Sequence, residues 1–208
     1  FSSYKRPLIN MRPKYRMSSM NITWQFPADL SIVAWIDHMG YDCDYISDED
    51  LHREGLDALK PYNCVLGGTH PEYVSERMLD AQEDFVAQGG RLIYLGGNGY
   101  YWCVGFTQDE PACMEVRKLD SGMRAWAAKP GEHYLQSTGE KSGLWRNRGR
   151  APQKLLGVGM ISEGFETCAP YRKMPDAFHR TVSWITEGIE GEIIGDKGLA
   201  YGAAAGIE

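Results

Sequence analysis

Two short apolar runs, each ending in glycines, punctuate the first half of the chain. Cys64-Val65-Leu66 runs into Gly67-Gly68, and Arg91-Leu92-Ile93-Tyr94-Leu95 runs into Gly96-Gly97-Asn98-Gly99. Both read as buried strands followed by turns. Between them Met78, Leu79, Gln82, Phe85 and Val86 recur at helical spacing behind Ser75, a capping residue, and Gly89-Gly90 closes the pattern. Upstream, Leu30, Val33, Ala34 and Ile36 predict a helix from Pro27 to Met39, with Pro27 in its first turn and Gly40 as its stop. Tyr41 to Ile46 alternates like a strand, and Ser47 to Leu51 reads as a short capped helix. The segment up to about Asn21 follows neither period and is expected to be irregular.

Strand, helix, strand, helix, strand with short links predicts an α/β fold with right-handed crossovers and a mostly parallel sheet. From Cys103 to Arg150 the texture changes to short pieces such as Cys113 to Arg117 and Arg124 to Ala127, interspersed with Gly, Pro and Trp. This stretch, 103–150, reads as a β-rich excursion within a single domain spanning 1–208. Leu155 to Ile161 and Val182 to Ile185 are expected as late strands, and Gly195 to Glu208 is rich in glycine and alanine. A start without Met and an ending inside an alanine run read as a fragment of something longer.

Composition narrows the function classes. The 208 residues are 43% hydrophobic and 24% charged, ordinary globular usage that excludes a disordered chain or a coiled coil. A net charge of -6, with Trp145 to Arg150 as the one basic run, argues against a nucleic-acid partner. That run is expected to solvate a loop. Cys43, Cys64, Cys103, Cys113 and Cys168 are scattered and odd in number, the pattern of reduced thiols in a cytoplasmic protein. No stretch approaches the roughly 18 apolar residues needed to span a bilayer.

The chemistry is expected where strands end, because open α/β sheets gather ligands there. Tyr45, His70 with Glu72, and Asn98 would line one edge. In an extended segment His70 and Glu72 point to the same side, with Pro71 stiffening the link, so the pair can act as acid and base or as metal ligand and neighbouring base. Gly96-Gly97-Asn98-Gly99 occupies the place of a nucleophile elbow, yet asparagine cannot attack, which disfavours a Cys-His-Glu amidotransferase unless Cys103 substitutes. The glycines themselves read as a tight turn needing positive φ. Glu115 with Arg117 reads as a structural ion pair. Trp102, Trp126, Trp145, Tyr100 and Tyr101 read as core, with a pocket for small apolar groups as the alternative. His38, His52, His133 and His179 have no ligand-like spacing and are expected at the surface or in caps.

Gly67 to Tyr73, Gly89 to Trp102, Met114 to Arg117 and Gly202 to Gly206 together resemble the large-subunit catalytic domain of the N,N-dimethylformamidase family. The resemblance covers nearly the whole chain and is strongest from Tyr41 to Trp102. It implies a flavodoxin-like three-layer sandwich of the class I glutamine amidotransferase type. It also implies a mononuclear Fe(III) amidohydrolase that takes a small N-substituted formamide to formate and amine. By the same resemblance iron is held by Tyr45, Glu72 and a second tyrosine, expected as Tyr4 with Tyr15 and Tyr41 as alternatives. His70 and Glu208 are the implied proton-transfer groups, although Ile207 departs from the family's acidic residue at that position. Asn98 is the implied substrate or oxyanion group, and a small subunit and a homo-oligomer are the implied partners. Two phenolates and a carboxylate form a hard anionic oxygen set that suits Fe(III). The competing expectation is a catalytically silent amidotransferase-like domain that binds a ligand or scaffolds a larger enzyme.

Overall fold

The computed structural model describes residues 1–18, 21–108, 113–118, 129, 131–160 and 170–194. The chain divides into two compact units, one built on Phe1–Ile161 and one on Ser162–Ala204. In the first, helix α1 (Phe26–Met39) has Pro27 in its first turn and ends at Gly40 in the left-handed conformation, φ 69°. Helix α2 (Asp48–Glu54) starts with a capping box in which Ser47 accepts from the Asp50 amide and Asp50 accepts from the Ser47 amide. Helix α3 (Glu76–Ala87) is capped by Ser75, whose hydroxyl accepts from the Met78 amide. It buries Met78, Leu79, Ala81, Gln82 and Phe85 but leaves Val86, in its last turn, exposed.

Strands are short. Strand β1 (Cys64–Leu66) runs parallel to β3 (Arg91–Ile93), and β2 (Tyr73–Val74) runs parallel to β4 (Trp102–Phe106). Strand β4 also pairs antiparallel with β5 (Met114–Val116) and with β6 (Gly143–Leu144). The class is α/β, with parallel crossovers where β1 leads through α3 to β3, but the sheets are small and mixed. Strand β4 is buried along its whole length and forms the middle of the core, with α3 across it and Leu51, Leu59, Leu135 and Trp145 around it.

Three sequence expectations change. Tyr41 to Ile46 is extended but has no ladder partner among the described residues, so it is not a strand. Leu155 and Leu156 belong to a helical turn, α4 (Gln153–Leu156), because Pro152 opens it and Gly157, at φ 77°, closes it. Ser183–Thr186 is a 3-10 turn: with no neighbouring strand to bond, Val182 and Ser183 donate back to His179 and Ile185 to Val182. That turn lies in the second unit, whose described part is a two-stranded antiparallel ribbon of β7 (Tyr171–Arg172) and β8 (Ile193–Ile194) enclosing two 3-10 turns. Arg124 to Ala127, Trp126 and Glu208 lie outside the described residues.

The basic run does more than solvate a loop. Trp145 is fully buried, donates its indole N–H to Val74 O at 3.0 Å, and carries the Arg148 and Arg150 guanidiniums over its ring at 4.5 and 5.4 Å. Arg150 pairs with Asp80 and Glu83 on α3, at 2.7 and 2.6 Å. Arginine's planar, weakly hydrated head suits this stacked and paired position better than lysine would. No described helix is long and apolar enough to cross a membrane.

Glu115 is a buried carboxylate whose charge is compensated. Arg117 Nε lies 2.7 Å from one oxygen and the Ser137 amide donates to the other at 2.8 Å. Burial pushes this carboxyl up, yet the Arg117 and backbone hydrogen bonds outweigh it and hold it at about 2. A depressed carboxyl contributes stability that is fully present above its unfolded value near 4.5 and is lost as pH falls towards 2. Glu115→Gln is therefore expected to cost on the order of 3 kcal/mol at neutral pH and almost nothing near pH 2. Denaturant titrations of both proteins across that range would check it, and a pH-independent difference would refute the ionic account.

Candidate active site

The loop after β1 and the loop after β3 are bonded to each other backbone to backbone. Gly97 N–H donates to Thr69 O at 3.1 Å, Tyr100 N–H to Pro71 O at 2.8 Å, and the Tyr101 and Trp102 amides both to Glu72 O at 3.0 and 2.9 Å. Close approach is possible because Gly96 has no side chain: a Cβ there would lie 2.4 Å from Thr69 O. Gly99 is similarly confined, 2.6 Å from the Tyr94 ring and from Leu156. Positive φ, expected for the glycines of this turn, falls instead on Asn98 (53°) and Tyr100 (50°), so the glycines serve contact and their neighbours carry the bend.

On this frame His70 and Glu72 meet. His70 Nε2 lies 3.4 Å from Glu72 Oε2, and both side chains are largely buried. The Trp102 indole N–H donates to Glu72 Oε1 at 3.0 Å. Burial pushes the Glu72 carboxyl up, but the His70 bond, the Lys118 charge and the Trp102 indole outweigh it and hold the group below the ordinary glutamate value. With Glu72 ionised and facing Nε2, that nitrogen is assigned the proton and Nδ1 is the lone-pair nitrogen. Trp24 packs against the imidazole, tilted by 50° at 4.9 Å between centroids, and a Cβ on Gly97 would touch Nδ1 at 3.5 Å.

Two groups at this site were not singled out from the sequence. Lys118 donates to the Tyr73 hydroxyl at 2.6 Å and lies over the Tyr73 and Trp102 rings at 5.0 and 5.1 Å. The register Val104↔Val116, Gly105↔Glu115, continued by two residues, places Lys118 opposite Trp102, a signal available only once the β4–β5 pairing is known. Asp29, in the first turn of α1, accepts at one carboxylate oxygen from both the Thr69 amide, at 2.6 Å, and the Thr69 hydroxyl, at 2.7 Å. Gly68 makes room for that carboxylate, which a Cβ would meet at 3.0 Å. An aspartate in a first helical turn is ordinary for dipole reasons, so nothing in the sequence marks it.

The other expected site residues sit differently. Asn98 is in the turn beside Gly97, and its Oδ1 is buried with no hydrogen-bond partner among the described residues. Such an orphan marks a position where a ligand group or water would bond. Tyr4 is 56% exposed and Tyr45 63% exposed, and the Tyr45 hydroxyl accepts from Cys43 Sγ at 3.3 Å. That contact, then slight burial and the neighbouring acids, raise the Tyr45 phenol above its ordinary value. Cys103 is fully buried, and burial pushes its thiol to about 12, so it is no substitute nucleophile.

The fit to iron follows from these positions. Glu72 offers a carboxylate, but among the described residues no group of three His, Cys, Asp or Glu is placed to hold a metal, and the two tyrosines are at the surface. The described residues do not assemble an iron site by themselves.

A protein-family model matches residues 1–208, and the chain belongs to the N,N-dimethylformamidase beta subunit-like, C-terminal family. Among curated proteins it is 44% identical over 209 residues to the N,N-dimethylformamidase beta subunit of Paracoccus aminophilus, and equally so to that of Alcaligenes sp. All of this chain is covered, against 27% of each relative, so it spans about a quarter of their length.

Asp29→Ala removes both anchors of Thr69 and is expected to destabilise the fold by about 1–3 kcal/mol, as charge-assisted bonds of this kind do. Asp29→Asn, which keeps an acceptor oxygen, is expected to recover much of that loss. Denaturant midpoints of the three proteins provide the check.

Proposed function

We propose that this chain supplies the proton-transfer part of an amide-hydrolysing centre that acts, as its relatives' names indicate, on a small N-substituted formamide such as N,N-dimethylformamide. The observation that carries the reading is the ionised Glu72 held against His70 inside two interlocked loops, with a cation and an orphaned amide beside it. Family membership and the parallel β1–α3–β3 crossover support placing it on a flavodoxin-like sandwich, completed by residues outside the described set. The relatives are named as beta subunits, and we extend that to a partner subunit here.

Hydrolysis adds water across the C–N bond, so one proton leaves the attacking water and one reaches the departing nitrogen. His70 Nδ1 takes the first while Glu72 stabilises the imidazolium formed, and the same imidazolium returns the proton to the amine. The Asn98 side-chain amide, turned so that its N–H points inward, bonds the oxyanion as it forms. Lys118 keeps Glu72 ionised, and the tryptophans exclude water around the pair. Glu208 remains a candidate second proton carrier. Iron remains part of the proposal: it would be held by Glu72, with the exposed Tyr4 and Tyr45 and groups outside the described residues as the candidate further ligands, and it would supply Lewis-acid polarisation of the carbonyl.

Three substitutions test the reading in the full-length protein. Glu72→Gln is expected to lower kcat/KM by about 10²–10⁴-fold with the fold retained. Lys118→Met is expected to raise the Glu72 pKa and so to move the acid limb of the rate profile to higher pH. Gly97→Ala adds a methyl at ordinary contact distance from Nδ1, so stability should hold while turnover falls about tenfold or more. Elemental analysis with a visible spectrum tests the iron: one iron per chain with a tyrosinate charge-transfer band supports it. Wild-type activity in all three variants, in iron-free colourless protein, would sink the hydrolase reading and favour a silent binding domain.

A further inference from the structure

Strand β1 is half used. Arg91 N–H donates to Asn63 O and Gly67 N–H to Ile93 O, which turns the peptide groups of Asn63, Val65 and Gly67 towards β3. By alternation the N–H and C=O of Cys64 and Leu66 point the other way, where no strand lies among the described residues. Parallel pairs are normally covered on both faces. Here Val65 packs into the core, while Ile93 and, just beyond it, Leu95 are exposed.

Helix α1 and the segment after it are tied to the chain on either side of β1. The first turn of α1 is tied to Thr69, beyond the end of β1, and the segment after α1 is tied to Tyr62, just before β1, whose hydroxyl donates to Asp44 at 2.6 Å. The segment between these ties nevertheless forms no ladder with β1. Apart from Asp29, Ser31, Asp37 and His38, every residue of α1 is apolar, and they lie all round the helix. Such a helix belongs in an interior. Here only Pro27 is buried, Trp35 and Met39 are each 49% exposed, and Tyr41, Tyr45 and Ile46 continue the uncovered surface.

We propose that the open edge of β1, with α1 and the Tyr41 to Ile46 segment, is the docking surface for a further β-strand of the same polypeptide. That strand pairs with Cys64 and Leu66, and its flanking residues cover Trp35 and Ile93. The curated relatives extend to nearly four times the length of this chain, so polypeptide of the required kind exists in the family. A covalently continuous segment is also present at high effective concentration, which favours it over a second copy.

Hydrogen exchange on the full-length protein tests this without any variant. The Cys64 and Leu66 amides are expected to exchange at least about 100-fold more slowly than unprotected amides, at a rate independent of protein concentration. Exchange at the unprotected rate would overturn the proposal by showing β1 to be a true edge. Protection that vanishes on dilution would overturn it in favour of a second copy.

Discussion

The backbone bonding between residues 69–72 and 97–102 is the constraint from which the rest follows. The peptide groups of the two loops find their partners in each other. The pairing carries the chain from the β1–β3 pair across to the β2–β4 pair, and it sets the distance from His70 to Glu72. It also fixes what can stand at Gly96, where the contact leaves no room for any side chain. The contact between His70 and Glu72 is thus a by-product of how two small sheets are joined.

A second layer of support lies behind the pair. Trp145 bonds the carbonyl of Val74, two residues beyond Glu72, and is covered by the two arginines that reach back to α3. Burying a tryptophan under guanidiniums lets charged residues close the core without exposing its apolar ring. The same arginine chemistry that reads as a solvated basic run is here a lid on the core, with acids of α3 as its counter-charges.

Much of the first half was legible because its signals are local. The caps at Ser47 and Ser75, the stop at Gly40, the strands before Gly67 and at Arg91, and the ion pair at Glu115 depend on neighbours within a few residues. Tyr41 to Ile46 failed as a strand because alternation states a willingness to pair and cannot supply the neighbour. Leu155 and Val182 failed because short apolar runs fit a helical turn equally well. At the site, His70, Glu72 and Asn98 could be picked out from the strand ends and their spacing, whereas Lys118 becomes meaningful only through cross-strand register. Asp29 reaches Thr69 across 40 positions of sequence, a separation that no local pattern encodes.

The interlocked loops have a consequence for how such a protein can change. Their geometry is written in peptide groups and in missing side chains, so it does not depend on which side chains surround the pair. Trp24, beside the imidazole, can vary in size and polarity while the pair keeps its spacing. A lineage carrying this frame could therefore drift towards ligands of other shapes by exchanging the surrounding residues one at a time. The glycines at 96 and 99 have no such freedom, and they mark the part of the sequence where inheritance is dictated by geometry rather than by substrate.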